Sequence, residues 1–241
     1  MLLVLAGTAL LSSVKRIEMF FPERVNSIRP KDKVLEIGPG ASPHPRSNAF
    51  LELNFDTVQD KISQRGGIVN EANFNGRPVY YYDGGGFPFE NNQFDYVICS
   101  HVIEHVPDPV YFLGELFRVS SGRGYLEYPL ITYEYLYDFD VHLNFVKFDF
   151  ERNVLRYLPK FETNFNEFSA VALFFHKTLE FGWDDICATN KKLFFEGVEF
   201  DRPFFIEKTS EIDRLLPSVS FIKNKTPIRR FLNRLMNKLG L

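Results

Sequence analysis

The chain has 241 residues, a net charge of −3 and two cysteines, Cys99 and Cys187. That length supports a sizeable core in one large domain, and two thiols make neither a disulfide framework nor a zinc cysteine set, so a reducing cytoplasm is the expected compartment. Lys223, Lys225, Arg229, Arg230, Arg234 and Lys238 follow Ser218 with no acid among them, which leaves the body acidic and excludes a nucleic-acid footprint over the whole surface.

Residues 1–14 are uncharged and mostly apolar, and residues 1–30 are expected to form an N-terminal helical segment packed on a sheet. Lys15 and Arg16 follow the apolar run, whereas a secretory signal places positive charge before it, and the run is shorter than the roughly 20 residues that span a bilayer. Arg29-Pro30-Lys31-Asp32 turns into a first strand, Val34-Leu35-Glu36-Ile37. An apolar run bounded by Gly and Pro fits a central parallel strand covered on both faces. Gly38, Pro39 and Gly40 then form a loop where open α/β sheets bind ligands, outside the carboxyl end of the strand. A dinucleotide fingerprint would need a third glycine where Pro43 stands, and Glu36 would repel a pyrophosphate but suit a cation. A plain glycine turn explains this loop equally well when the loop is taken alone.

Pro43-His44-Pro45-Arg46-Ser47-Asn48 cannot propagate a helix, so a loop replaces the first crossover helix before the second strand, Ala49 to Leu53. Val79 to Asp83 reads as a third strand, followed by Gly84-Gly85-Gly86, and Phe94 to Cys99 as a fourth that ends at Ser100-His101. Pro107 and Pro109 open a helix with Val110, Leu113, Leu116 and Phe117 as its buried face; Gly122 ends it, and Arg123 to Tyr128 is a fifth strand. This alternation predicts an α/β fold with a doubly wound, mainly parallel sheet and an aromatic-rich C-terminal addition.

In that addition Asn144 to Leu158 reads as a hairpin turning near Arg152-Asn153. Glu167 to Phe181 has helical spacing at Phe168, Val171, Phe174, Phe175 and Leu179, and Leu193 to Ile206 reads as a strand pair. Its aromatics either complete the core or line an acceptor pocket. The expected division is therefore a core over 31–135, a substrate or lid region over 136–217 and a basic amphipathic tail over 218–241. Pro227 can open a helix whose Ile228, Phe231, Leu232, Leu235 and Leu239 make one apolar stripe. Peripheral contact of 227–241 with the anionic inner face of a membrane is one expectation for it, and docking on its own domain or on a second subunit is the other.

Glu36, Glu52 and Asp83 each close a predicted strand, and with the glycine loop they resemble the strand ends of class I S-adenosylmethionine-dependent methyltransferases. The stretch Pro88-Phe89 through Phe94-Asp95-Tyr96-Val97 to His105 resembles the corresponding segment of the type 11 methyltransferase family, and the match runs from about Val34 to Tyr128. The resemblance implies a Rossmann-like sheet and S-adenosyl-L-methionine as cofactor. It further implies Glu36 facing the methionine ammonium, Glu52 accepting from the ribose hydroxyls and Asp83 accepting from the adenine amino group. Gly38, Pro39, Gly40, Gly84, Ser100 and His101 complete the expected cofactor set.

The expected reaction is methyl transfer to a small-molecule or glycan hydroxyl, which needs alignment and a proton acceptor. His101, Glu104 and His105 leave the fourth strand at the right end for that role, with His142 ranked behind them. Each histidine has an alternative role as a loop hydrogen-bonding partner or cofactor contact. With no H-x-x-x-H or C-x-x-C pair, no metal is expected. Two rivals remain: a non-catalytic cofactor-binding module, and a nucleotide-dependent oxidoreductase, against which Pro43 and Glu36 argue.

Overall fold

Val34–Ile37 (β1) is buried along its whole length. Leu35 and Ile37 enter the apolar cluster on one face of the sheet and Val34 the cluster on the other. A strand covered on both faces has no polar side, which is why its sequence does not alternate. The computed structural model describes residues 19–64, 72–166, 170–178 and 184–217. The expected helix in residues 1–14 and the amphipathic tail over 227–241 lie outside the described residues.

The next strands are Ala49–Leu53 (β2), Val79–Tyr82 (β3), Tyr96–Ser100 (β4) and Gly124–Pro129 (β5). β1 lies between β2 and β4, with Glu36 level with Phe50 on one side and Ile98 on the other; β3 and β5 extend the parallel array outward. Residues 38–48 make no helix between β1 and β2, as Pro43 and Pro45 require. Val58–Gln64 (α1) follows β2, and Pro109–Val119 (α2) follows β4.

The Asp108 side chain caps α2 by accepting from the Tyr111 amide at 3.0 Å. Its buried face is Phe112, Leu113, Leu116 and Val119, whereas Val110 is 48% exposed. The expected stripe is therefore rotated. The edge-to-face contact of Phe112 with Phe87, centroids 5.5 Å apart, brings Phe112 to the sheet and turns Val110 outward.

After β5 come Ile131–Tyr137 (α3), Asn144–Asp149 (β6), Val154–Pro159 (β7) and Ala170–Thr178 (α4). Asp184–Thr189 (α5), Lys191–Phe194 (α6), Phe195–Phe200 (β8) and Phe205–Lys208 (β9) complete the series among the described residues. β6 and β7 form the expected hairpin, with Asn153 at φ +56° in its turn. The expected strand pair over 193–206 is different. β8 runs antiparallel to β5 and closes the main sheet in the order β3-β2-β1-β4-β5-β8, while β9 joins β7 in a separate three-stranded sheet. Phe204 accounts for the parting: its buried ring meets Phe117 of α2 and Phe148 of β6, each at 5.0 Å, which draws the chain off the main sheet.

α4 is the described part of the helix expected over Glu167 to Phe181, but its buried face is different, and Phe168 and Leu179 lie outside the described residues. Val171 and Phe174 are exposed, and the helix turns Ala172 and Thr178 inward, with Phe175 meeting Tyr137 of α3. α2 and the small sheet cover one face of the main sheet, and residues 19–28 with α3, α5 and α6 cover the other. The sheet is thus mixed, mostly parallel and covered on both faces. All the parallel strand ends point to the same edge of it.

Candidate functional site

β1 is followed by Gly38, whose amide donates to Leu51 O at 2.9 Å and continues the parallel ladder. Gly38 has φ +62°, and a Cβ added there would lie 2.6 Å from Val102 Cγ2. Neither the conformation nor the space admits a side chain. Pro39 and Gly40, at φ +60°, carry the turn onward. Glu36 is buried, and its Oε2 accepts from the His44 amide at 2.8 Å and the Ser47 hydroxyl at 2.7 Å. From outside, Arg77 donates to the carbonyls of His44 and Ser47. One carboxylate and one guanidinium thus hold the loop that stands in place of a helix.

Two adjoining cavities open at the ends of β2 and β3. One, of about 330 Å³, is lined by Asn54, Tyr81, Tyr82, Asp83, Gly86 and Pro88. The other, of about 360 Å³, is lined by Glu52, Asp56, Lys61 and Phe74, and it shares Asn54 and Tyr81 with the first. Glu52 is 8% exposed, and Asp83 accepts from the Gly85 amide at 3.2 Å across the turn at Gly84, where φ is +91°. Both are open to solvent, with a few acceptors beside aromatic side chains.

At the end of β4 the chain passes His101 at φ +55° and enters a 3-10 turn over Ile103–His105. His101 Nε2 lies 3.1 Å from Glu127 Oε1, and Nδ1 lies 3.5 Å from Glu104 Oε1. Burial favours the neutral ring, but the hydrogen bonds and charges of Glu104 and Glu127 outweigh it and hold the imidazole's pKa at about 10. His105 is the reverse case. Burial dominates and pushes it down to about 4, while Nδ1 bonds to Val141 O at 2.9 Å.

Glu127 is the residue that sequence reasoning passed over. It is fully buried in β5 and accepts from the Phe20 amide at 2.6 Å, the Phe21 amide at 3.0 Å, the Tyr125 hydroxyl and Ser100 Oγ at 3.3 Å. Ser100 is thereby turned toward β5. A carboxylate within Tyr125-Leu126-Glu127-Tyr128 was the available signal, because an acid in a strand buried on both faces needs partners from elsewhere in the chain.

A family model described as a methyltransferase domain, that of the type 11 family, matches residues 50–127. That stretch of the chain is similar to a methyltransferase domain. Its match begins in β2 and ends at Glu127, so it takes in Glu52, Asp83, His101, Glu104 and His105. The cofactor of such a domain is S-adenosyl-L-methionine, and buried Glu52 beside a cavity and the carboxylates at successive strand ends fit its ribose, amino and ammonium groups.

The sterol 24-C-methyltransferase erg6 of Schizosaccharomyces pombe is 29% identical over 123 residues, which are 49% of this chain and 32% of that protein. The chain thus spans about a third of the length of that curated relative. Among solved structures, a SAM-dependent methyltransferase from Thermotoga maritima is 20% identical, with 43% of this chain and 46% of that one covered and a TM-score of 0.29. The YcgJ protein of Bacillus subtilis is 20% identical, with 46% and 52% covered and a TM-score of 0.32. For a SAM-dependent methyltransferase from Methanosarcina mazei the values are 18%, 54%, 73% and 0.32.

Proposed function

We propose that the chain transfers a methyl group from S-adenosylmethionine to a hydroxyl of a small molecule or glycan. The observation that carries this reading is the pair of adjoining cavities at the ends of β2 and β3, with Glu52 lining one and Asp83 the other, inside a methyltransferase domain. In this reading Glu52 accepts from the ribose hydroxyls, Asp83 from the adenine amino group, and Glu36 faces the ammonium while its Oε2 keeps the loop in place. Gly38, Pro39, Gly40 and Gly84 let the cofactor approach the main chain.

Transfer itself needs the acceptor aligned behind the sulfonium methyl. His101 already holds its proton between Glu104 and Glu127, so its part is to position and to donate. Proton acceptance then falls to His105 and Glu104, which stand beside it on the turn after β4. The test is incubation of the full chain and labelled cofactor with extracts from cells depleted of methylation. Label in a small-molecule or glycan fraction, stable to base and lost with Glu52→Ala, is the expected result; label confined to protein or nucleic acid would overturn the acceptor class.

A further inference from the structure

Glu104, His105 and His142 each offer one ligand atom, and these atoms lie within 4.8 Å of one another. Glu104 is 0% exposed, and neither of its carboxylate oxygens has a hydrogen-bond partner. Its nearest charge, His101 Nδ1 at 3.5 Å, stands at ion-pair distance and is shared with Glu127. A carboxylate this deep is costly unless something satisfies it. Because two carboxylates flank His101, one negative charge is left over even when that imidazole is charged.

Both neighbouring imidazoles are held through Nδ1. His105 Nδ1 donates to Val141 O at 2.9 Å, and His142 Nδ1 donates to Glu134 Oε1. Each ring is thereby left with Nε2 to offer, and His105 Nε2 is 3.9 Å from Glu104 Oε1. A ring oriented through its far N–H by a carbonyl or carboxylate is the usual support of a metal-ligating histidine. Glu134 is in turn placed by Lys160, 3.4 Å from its Oε2. Main-chain bonds keep the two halves in register: the Leu143 amide donates to Glu104 O at 2.7 Å, and Asn144 Nδ2 donates to Val106 O at 2.8 Å. The site is enclosed but reachable, since the His105 and His142 side chains are 13% and 12% exposed.

We propose that Glu104, His105 and His142 bind a first-row divalent transition-metal ion such as Zn²⁺. Two imidazoles and one carboxylate are a borderline donor set of this class, and three protein ligands leave a position open to water or to an acceptor oxygen. Ligand atoms around one Zn²⁺ at ~2.0–2.1 Å stand about 3.3 Å apart, so the three side chains close by roughly an ångström on binding. An ion there takes the Nε2 lone pair of His105, and activation of an acceptor hydroxyl passes from a protein base to the metal. The site does not depend on the proposed methyl transfer. Spacing rules overlook it because two ligands are adjacent on one turn and the third arrives after α3.

The test is titration of the full, untagged chain, stripped with chelator, with Zn²⁺ by calorimetry and with Co²⁺ by visible absorption. One ion per chain is expected, with d–d bands of a low-coordinate site. Glu104→Gln and His142→Gln should each abolish saturable binding, and Glu134→Gln, which only orients His142, should weaken it about 10–100-fold. If His142→Gln fails to fold by circular dichroism, the isosteric Glu104→Gln decides. No saturable uptake by the wild type, or uptake unchanged in Glu104→Gln, overturns the proposal. S-adenosylhomocysteine binding by the same preparation reports separately on the methyltransferase reading.

Discussion

His101 and Glu127 are 26 residues apart in the chain and join across the ends of β4 and β5, Nε2 to Oε1 at 3.1 Å. The same carboxylate receives the amides of Phe20 and Phe21, so it ties the segment that enters the domain to the strand ends where the cofactor is proposed to sit. Burial opposes its charge, but the bonds from His101, Tyr125 and Phe20 outweigh burial and hold its pKa below the ordinary 4.5.

Glu127→Gln should therefore destabilise the fold by about 3–5 kcal/mol near neutral pH, the scale for breaking a buried ion pair. The sign follows from linkage: a group depressed in the folded state contributes fully above its unfolded value and loses that contribution as the pH falls below it. Urea unfolding from pH 7 to pH 3 should show the two proteins converging below about 4.5. A constant difference over that range would show that the charge is not what matters.

Gly38→Ala should cost about 1–2 kcal/mol for the left-handed backbone, with a further loss from the contact on Val102 Cγ2. Combining it with Val102→Ala should recover the second part and leave the first. Denaturation of the double-mutant cycle gives the coupling directly, and simple additivity would contradict the predicted contact.

Glu196 in β8 links the two sheets, accepting from the Tyr128 hydroxyl at 2.7 Å and the Phe148 amide at 3.0 Å. Its replacement by Ala should cost about 1–3 kcal/mol, because two buried donors lose their partner. Amide exchange at Phe148 should quicken in the variant. Unchanged protection there would show that the small sheet holds without this link.

The parallel core was legible because its strands are short apolar or aromatic runs, four of them set off by a break: Gly38 after β1, Asn54 after β2, the three glycines after β3 and Gly122 before β5. Loss of the first crossover helix could be read from Pro43 and Pro45 alone. What escaped the sequence depends on partners far along the chain. The face of α2 was set by Phe87, the parting of β8 from β9 by a pocket between Phe117 and Phe148, and the role of Glu127 by amides more than a hundred residues away. Glu104 and His105 were visible as candidates, but the direction of each histidine's proton bond was not, since it depends on Glu127 and on the Val141 carbonyl.

If the ends of β1, β2 and β3 hold S-adenosylmethionine, the full chain should bind S-adenosylhomocysteine in a calorimetric titration. Saturable binding by the wild type is expected, weakened by ~1–3 kcal/mol in Glu52→Ala and again in Asp83→Ala, the cost of leaving polar partners unmatched. Wild-type protein that takes up NAD and ignores S-adenosylhomocysteine would show that these strand ends are not an S-adenosylmethionine site.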